Sequence, residues 1–267
     1  MLRNIIKDSL EKRGTAIGTW VQMRSPEICE LAGASGFDFV IIDMEHGSFG
    51  LESAVEMVRA VQTSGAAPMI RLPGKSDEEI KKALDTGALG IVIPGIRTGV
   101  EATQVINAAR YEPAGKRGAC HLIRATMHGS IEWKKYSEWA SRNTLVWILI
   151  ENTDAVMNID SILAGGVGAI MLGPFDLSVS MGLNGDIYHP KVTEALEGVT
   201  KAAVENGVEV IVPLFESEPD KLSELAQEWS KKKCRIFAAL SDRSCLALQY
   251  RRTANKLKEL AHPVQKG

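Results

Sequence analysis

Eight short apolar runs recur along the chain, and amphipathic stretches separate them. The runs are TAIGTWV (15–21), FDFVIID (37–43), APMIRL (67–72), GIVIPG (90–95), LVWILIE (145–151), GAIMLG (168–173), VEVIVPLF (208–215) and CRIFAAL (234–240). Such runs, too short for buried helices and rich in β-branched residues, read as strands covered on both faces. Between them lie helical patterns: SPEICELAGASG with Ser25 as a cap, LESAVEMVRAVQTSG, and SDEEIKKALDTG with Ser76 as a cap and acids in its first turn. Several end in Gly, as helix C-termini do. Eight strands, each followed by a helix, predict an α/β fold, a single (β/α)₈ TIM barrel, with no linker to divide residues 1–267 into more than one domain. A doubly wound sheet usually has fewer strands, and no G-x-G-x-x-G follows the first run.

Two stretches exceed a minimal barrel. Residues Ile96 to Thr144 are far more than one helix needs and carry the polar, aromatic string RYEPAGKRGACHLIRATMHGSIEWKKY. A lid or a wall of the active site is the expectation there. The basic, helical tail after Ser241 is expected to close the barrel or to dock on another subunit.

Composition narrows the partners. At 267 residues, 45% hydrophobic, 24% charged and with net charge −2, the chain has enough apolar content for a full core and no general attraction for nucleic acid or an anionic membrane. Small-molecule partners follow. No run is long enough to span a bilayer, and MLRNIIKDSLEKRG lacks the apolar centre of a signal peptide, so a cytoplasmic location is expected. Cys29, Cys120, Cys234 and Cys245 show no C-x-x-C spacing and read as reduced thiols.

In a parallel barrel the loops converge on one mouth at the C-terminal ends of the strands. Asp43 ends the second run and Glu45 and His46 begin its loop; Arg71 ends the third, Glu151 ends the fifth, and Asp176 follows the sixth in GPFDLS. Singly, each has a plain explanation as a loop acid, surface charge or helix cap. Together they map to one place. His46, three positions after Asp43, is expected to have its imidazole oriented by that acid, whereas His121, His128, His189 and His262 lack such company.

Glu151 and Asp176 come from neighbouring strands, and two carboxylates held close repel unless a cation lies between them or one takes a proton. Oxygen ligands with spare positions favour a hard divalent ion, Mg²⁺ or Mn²⁺. Strand alternation puts Leu149 in the lumen beneath Glu151, and the GPFDLS turn offers backbone N–H groups from Gly173 and its neighbours to a carboxylate. These parts suit a metal-chelated 2-oxo acid whose carbonyl is polarised, with Arg71 at the negative oxygen and His46 with Asp43 moving the hydroxyl proton, as in aldol cleavage or its reverse. No run contains a lysine for Schiff-base chemistry, Lys75 being the nearest, and ESEPDK and SDRSC lack the glycines of a phosphate site.

The residues resemble the HpcH/HpaI aldolases, metal-dependent class II pyruvate aldolases related to the citrate lyase β subunit. The likeness rests on GTWVQMRSPEICELAGASGFDFVIIDMEHG, MIRLPG, RYEPAGKRG, the acid ending VWILIE, and GPFDLSVSMG. It implies Glu151 and Asp176 as metal ligands, with Co²⁺ a further option, Arg71 at the keto oxygen, and His46 with Asp43 as the acid–base pair. It also implies Glu45 behind that pair, Gly173 and Pro174 in the turn receiving the pyruvate carboxylate, Trp20 as an aromatic near the site, and Arg124 as selector of an acidic aldehyde. The same resemblance implies a homo-oligomer, a hexamer that exchanges C-terminal helices. The sequence departs from the family where many members carry Gln, at Leu149. The expected activity is a carbon–carbon lyase acting on 4-hydroxy-2-oxo acids, the small-molecule partners being a 2-oxo acid and an aldehyde. An oxaloacetate-type decarboxylase, a citrate- or malyl-CoA-type lyase, and a non-catalytic oxo-acid-binding barrel are the alternatives.

Overall fold

Every apolar run becomes a strand in the computed structural model, which describes residues 2–259. The strands are β1 (Ala16–Val21), β2 (Phe39–Asp43), β3 (Ala67–Arg71), β4 (Gly90–Ile93), β5 (Leu145–Ile150), β6 (Ala169–Leu172), β7 (Glu209–Leu214) and β8 (Ile236–Ser241). Neighbours pair in parallel in chain order, and β8 closes on β1. The helices are α1 (Ile5–Arg13), α2 (Pro26–Ala34), α3 (Leu51–Thr63), α4 (Asp77–Asp85), α5 (Gly99–Ala109) and α6 (Trp133–Asn143). They continue with α7 (Thr153–Met157), α8 (Ile159–Ala164), α9 (Pro174–Ser180), α10 (Pro190–Glu205), α11 (Pro219–Lys231) and α12 (Asp242–Lys258). Ser25 caps α2 through its side chain, as expected, whereas Ser76 makes no such bond to α4.

Side chains alternate between two apolar layers, because successive residues of a strand face opposite sides. Phe39, Ile41, Met69, Trp147, Leu149, Met171 and Ile211 fill the lumen; Val40, Ile42, Ile70, Ile148, Ile170 and Val210 meet the helices. The Phe39 and Trp147 rings pack edge to face at 5.3 Å. Gly18 makes that possible, since a Cβ there would lie 2.1 Å from the Phe39 ring. Gly18→Ala should therefore destabilise the barrel by about 1–3 kcal/mol, read from the midpoint of urea unfolding.

The N-terminal end of the barrel is plugged. Ile6 of α1 joins the lumen cluster, with Trp139 of α6 packed against it, and Asp38 ties α1 down by accepting from Ser9 Oγ (2.7 Å), Arg13 (2.5 Å) and the Ile17 N–H (2.8 Å).

The long stretch between β4 and β5 corrects the sequence expectation. Within one chain it supplies no residue to the wall of the mouth cavity. After α5 it runs along α4, where Arg117 pairs with Asp85 (2.6 Å), and then lies over the N-terminal end of the strands, where α6 meets α1 through the Arg142 carbonyl and Lys7 (2.8 Å). Polar composition marked it as a surface segment without saying which end of the barrel it would cover.

Of the tail after Ser241, Asp242–Lys258 is helical, as predicted, and residues 260–267 lie outside the described residues. Ser241 and Ser244 form a reciprocal cap, and Asp242 accepts the N–H groups of Gln22 (3.0 Å) and Met23 (2.8 Å), which docks the first turn of α12 on the end of β1. From Gln249 to Glu259 the helix is exposed throughout.

Candidate active site

Asp43 and Arg71 form the buried centre of the mouth. They face each other in register at the ends of β2 and β3, and the guanidinium grips the carboxylate through two bonds, Nε at 2.8 Å and Nη2 at 2.5 Å. Asp43 accepts three more, from Gln22 Nε2 (2.8 Å) and from the N–H groups of Glu45 (3.1 Å) and His46 (3.2 Å). Burial alone would raise its pKa; Arg71, Gln22 and the His46 N–H outweigh burial and hold it below the usual carboxylate range. Trp20 lies against the guanidinium, its ring centre 4.6 Å from Cζ.

This geometry revises one sequence expectation. Asp43 does not orient the His46 imidazole; the parallel ladder presents its carboxylate to Arg71, leaving only the His46 backbone within reach. The imidazole is half exposed, and its Nε2 lies 4.0 Å from Glu45 Oε2. Glu45 Oε2 in turn lies 3.0 Å from Arg71 Nη1 as an ion pair, yet this buried oxygen has no hydrogen-bond partner. Burial, followed by the charges of Asp43 and Asp176, raises the Glu45 pKa against the pull of Arg71 and His46.

Glu151 stands one residue beyond β5, and the side chain below it, Leu149, points into the lumen as alternation required. Glu151 Oε1 accepts the Gly95 N–H at 2.7 Å. Its carboxyl is pushed up to about 7, chiefly by burial, with the charges of Glu45 and Asp176 adding to it. Gly173 gives the room for this approach, since a Cβ there would come within 2.4 Å of Glu151 Cβ. The Gly173 N–H is committed to the Ile150 carbonyl (2.9 Å), so the donors this turn offers are those of Phe175 and Asp176, whose place in the first turn of α9 leaves them without intrahelical acceptors.

The donor set fits a hard cation. Burial, with the charges of Glu45 and Asp176 adding to it, pushes the Glu151 carboxyl up to about 7, and a cation at that place would favour its charged form. Among the described residues no group of three or more His, Cys, Asp or Glu side chains is arranged to hold an ion alone. Glu151 and Asp176 would hold such an ion only with other ligands, water or a chelating molecule, at its remaining positions.

One cavity of about 820 Å³ opens over these groups, lined by Trp20, Gln22, His46, Arg71, Leu149, Gly173, Pro174 and Asp176, with its far wall from β7, β8 and α12. No lining residue comes from 96–144 or is a lysine; Lys75 instead pairs with Glu101. Arg124 is not brought to the mouth. Its guanidinium donates to the Thr86 carbonyl (2.5 Å) and Gln62 Oε1 (2.7 Å), beside the turn that leads from α4 into β4 at the opposite end of the barrel. His121 and His128 are exposed in the long segment, His189 caps α10, and His262 lies outside the described residues.

Three contributors went unnoticed in the sequence. Gln22 and Gly95 follow the ends of β1 and β4, where the rule that found Asp43 would have found them had uncharged groups been counted. Arg243 of α12 holds the β2 loop by donating to the carbonyls of His46 (3.2 Å) and Gln22 (3.1 Å), a contact between segments too distant in sequence to be read from spacing.

A parallel barrel that gathers a carboxylate pair, a buried arginine and an accessible imidazole around the mouth at the C-terminal ends of its strands has the layout of an enzyme. The chain belongs to the HpcH/HpaI aldolase/citrate lyase family, whose model matches residues 16–232, and it is accordingly a lyase. It is 33% identical over 206 residues to a hydroxypyruvate/pyruvate aldolase of Roseobacter denitrificans, covering 76% of this chain and 80% of that protein. Identity to the 5-keto-4-deoxy-D-glucarate aldolase of Escherichia coli is 32% over 205 residues, covering 76% and 79% of the two. A crystal structure of an HpcH/HpaI aldolase from Desulfitobacterium hafniense superposes with a TM-score of 0.88 at 26% identity, covering 98% of this chain and 100% of that one.

Proposed function

We propose that this lyase is a divalent-metal-dependent aldolase that cleaves or forms 4-hydroxy-2-oxo acids, with a 2-oxo acid of the pyruvate type as the nucleophilic half. The observation that carries this is that Glu151 stands close enough to Asp176 and Arg71 to feel both charges, at the edge of the cavity that Arg71 and Asp176 line. Glu151 and Asp176 would hold Mg²⁺ or Mn²⁺, with Co²⁺ a further option, which supplies Lewis acidity to the bound 2-oxo acid.

The remaining work falls to the chain. The N–H groups of Phe175 and Asp176, in the turn opened by Gly173 and Pro174, receive the substrate carboxylate. Arg71, locked by Asp43 and backed by Trp20, presents a fixed guanidinium to the oxygen on which negative charge grows. In cleavage, His46 takes the proton of the C4 hydroxyl, the C3–C4 bond breaks to release an aldehyde, and its electron pair passes into the enolate of the 2-oxo acid; protonation at C3 completes the product. Asp43 acts here through the His46 and Glu45 backbone, as a positioning residue. Leu149 gives the site an apolar floor.

Two outcomes test this assignment. His46→Ala should retain metal affinity and lose roughly 10²–10⁴-fold in kcat for aldol cleavage; near-normal kcat would remove His46 from the mechanism. Metal must displace the Glu151 proton, so Mn²⁺ affinity measured by calorimetry should rise with pH up to about 7 and level off above it. Affinity that stays flat across that range would separate Glu151 from the cation.

The exposed second half of α12 supports a homo-oligomer in which a second copy covers it, a hexamer by family resemblance. Light scattering behind size exclusion reads the assembly directly; a monomer at working concentration would refute it.

A further inference from the structure

We infer that Gln22 is a positioning residue for Arg71: its amide fixes the plane of the Asp43 carboxylate, and through it the direction in which the guanidinium faces the substrate oxygen. This rests on the aldolase reading and adds to it a residue that acts without touching the substrate.

Two side chains at the end of one strand serve the same arginine. Trp20 and Gln22 stand two positions apart at the end of β1, so both turn to the mouth and line its cavity, while Val21 between them packs toward the helices. Trp20 covers the face of the Arg71 guanidinium, 4.6 Å from Cζ. Gln22 addresses the counter-ion instead. Its Nε2 donates to Asp43 Oδ2 at 2.8 Å, the oxygen that also accepts Arg71 Nη2.

The bond pattern explains what the amide adds. Asp43 Oδ1 accepts Arg71 Nε and the N–H groups of Glu45 and His46, so this oxygen is held from β3 and from the β2 loop. Oδ2 is reached by Arg71 and by Gln22. With the amide gone, that end of the carboxylate follows the arginine, and the two planar groups turn together about Oδ1. The guanidinium nitrogen left unbonded to Asp43 is Nη1, 3.0 Å from Glu45 Oε2, and its direction moves with that turn. An amide suits the task. An ionised carboxylate only accepts, so it must meet the nitrogen of Gln22, and a second carboxylate in that place could not serve. Gln22 is itself anchored, since its N–H donates to Asp242 Oδ1 at 3.0 Å. Every bond in this set joins parts of a single chain and converges on Asp43, which is fully buried.

The test uses the full-length protein and reads deuterium exchange into the methyl group of pyruvate with Mg²⁺, a step that places charge on the oxygen Arg71 faces and needs no aldehyde. Gln22→Met, which fills the same space without a donor, should slow exchange at saturating pyruvate about 10–100-fold, the scale of one hydrogen bond to an ionised group. Its KM for pyruvate should change less than about threefold, because Arg71 acts mainly as the charge grows. In an Arg71→Lys background the same substitution should cost less than about threefold, since the group it positions is gone. In the metal-free protein, the Arg71 Nε–H signal of a nitrogen-15 spectrum, identified by its loss in Arg71→Lys, should exchange with solvent faster in Gln22→Met. Should Gln22→Met fail to fold, Gln22→Glu, equal in length, should show the same loss and the same dependence on Arg71. Near-normal exchange, a loss confined to KM, an equal loss in both backgrounds or an unaltered Nε–H signal overturns the inference and leaves Gln22 a structural contact of β1. If the unmodified protein exchanges and Gln22→Met matches it, this inference alone is wrong; if the unmodified protein shows no exchange, the aldolase reading fails and takes this one with it.

Discussion

Glu151→Gln should leave the barrel folded and remove both metal binding and turnover. The amide oxygen still accepts the Gly95 N–H, so the local geometry survives, and the change deletes a carboxylate that burial and neighbouring acids already push to about 7. Thermal stability of the metal-free protein should therefore be unchanged or slightly higher, since an unfavourably placed charge is gone. Affinity for Mn²⁺ should drop beyond the roughly 10–100-fold lost when an outer partner of a metal site is mutated, because a direct ligand is at stake. Calorimetric titration and unfolding curves on the same preparation separate these effects. Unchanged affinity would mean that the cation binds elsewhere.

Arg71→Lys has the second large expected effect. Lysine keeps the positive charge but cannot span both Asp43 oxygens, so neither the acid nor the developing oxyanion meets a fixed donor pair. A fall in kcat of roughly 10²–10³ is expected, the scale of losing one oriented donor to an oxyanion. Arg71→Ala adds a folding cost, since Asp43 is left fully buried without its partner; breaking such a pair costs roughly 3–5 kcal/mol. The pH dependence follows from sign. A carboxyl held below its unfolded value stabilises the fold above the unfolded pKa, and this contribution disappears as pH falls through the lowered folded value. Removing Arg71 should erase that acid-side component. Urea unfolding at neutral and at acidic pH, with kcat on a hydroxy-oxo acid, tests both claims.

How far the sequence reaches is clear from particular residues. Strand positions were legible because burial on both faces leaves unbroken apolar runs, and their count dictated closure into a barrel. Asp43, Arg71, Glu151 and Asp176 were legible because a charge at the end of such a run has only the mouth to occupy. Partnership was not legible. Asp43 is three residues from His46 and twenty-eight from Arg71, yet parallel register puts it opposite the arginine, and sequence proximity misassigned its side chain. Arg124 shows the same limit on a larger scale: its polar loop could have folded toward either end of the barrel, and the pairings of Arg117 with Asp85 and of Arg124 with Thr86 and Gln62 took it away from the mouth. Gly173 was placed correctly in the turn, but its N–H closes the β6 end on Ile150, a detail of hydrogen-bond direction that residue type does not carry.

Deuterium exchange into the methyl group of pyruvate, followed by proton NMR with and without Mg²⁺ or Mn²⁺, tests the central claim most directly. It needs enolate formation at this site and no knowledge of the aldehyde. The account predicts exchange that requires the cation, persists in the unmodified enzyme without an acceptor, and vanishes in Glu151→Gln. Absence of exchange at saturating metal, or exchange undiminished by Glu151→Gln, would contradict it.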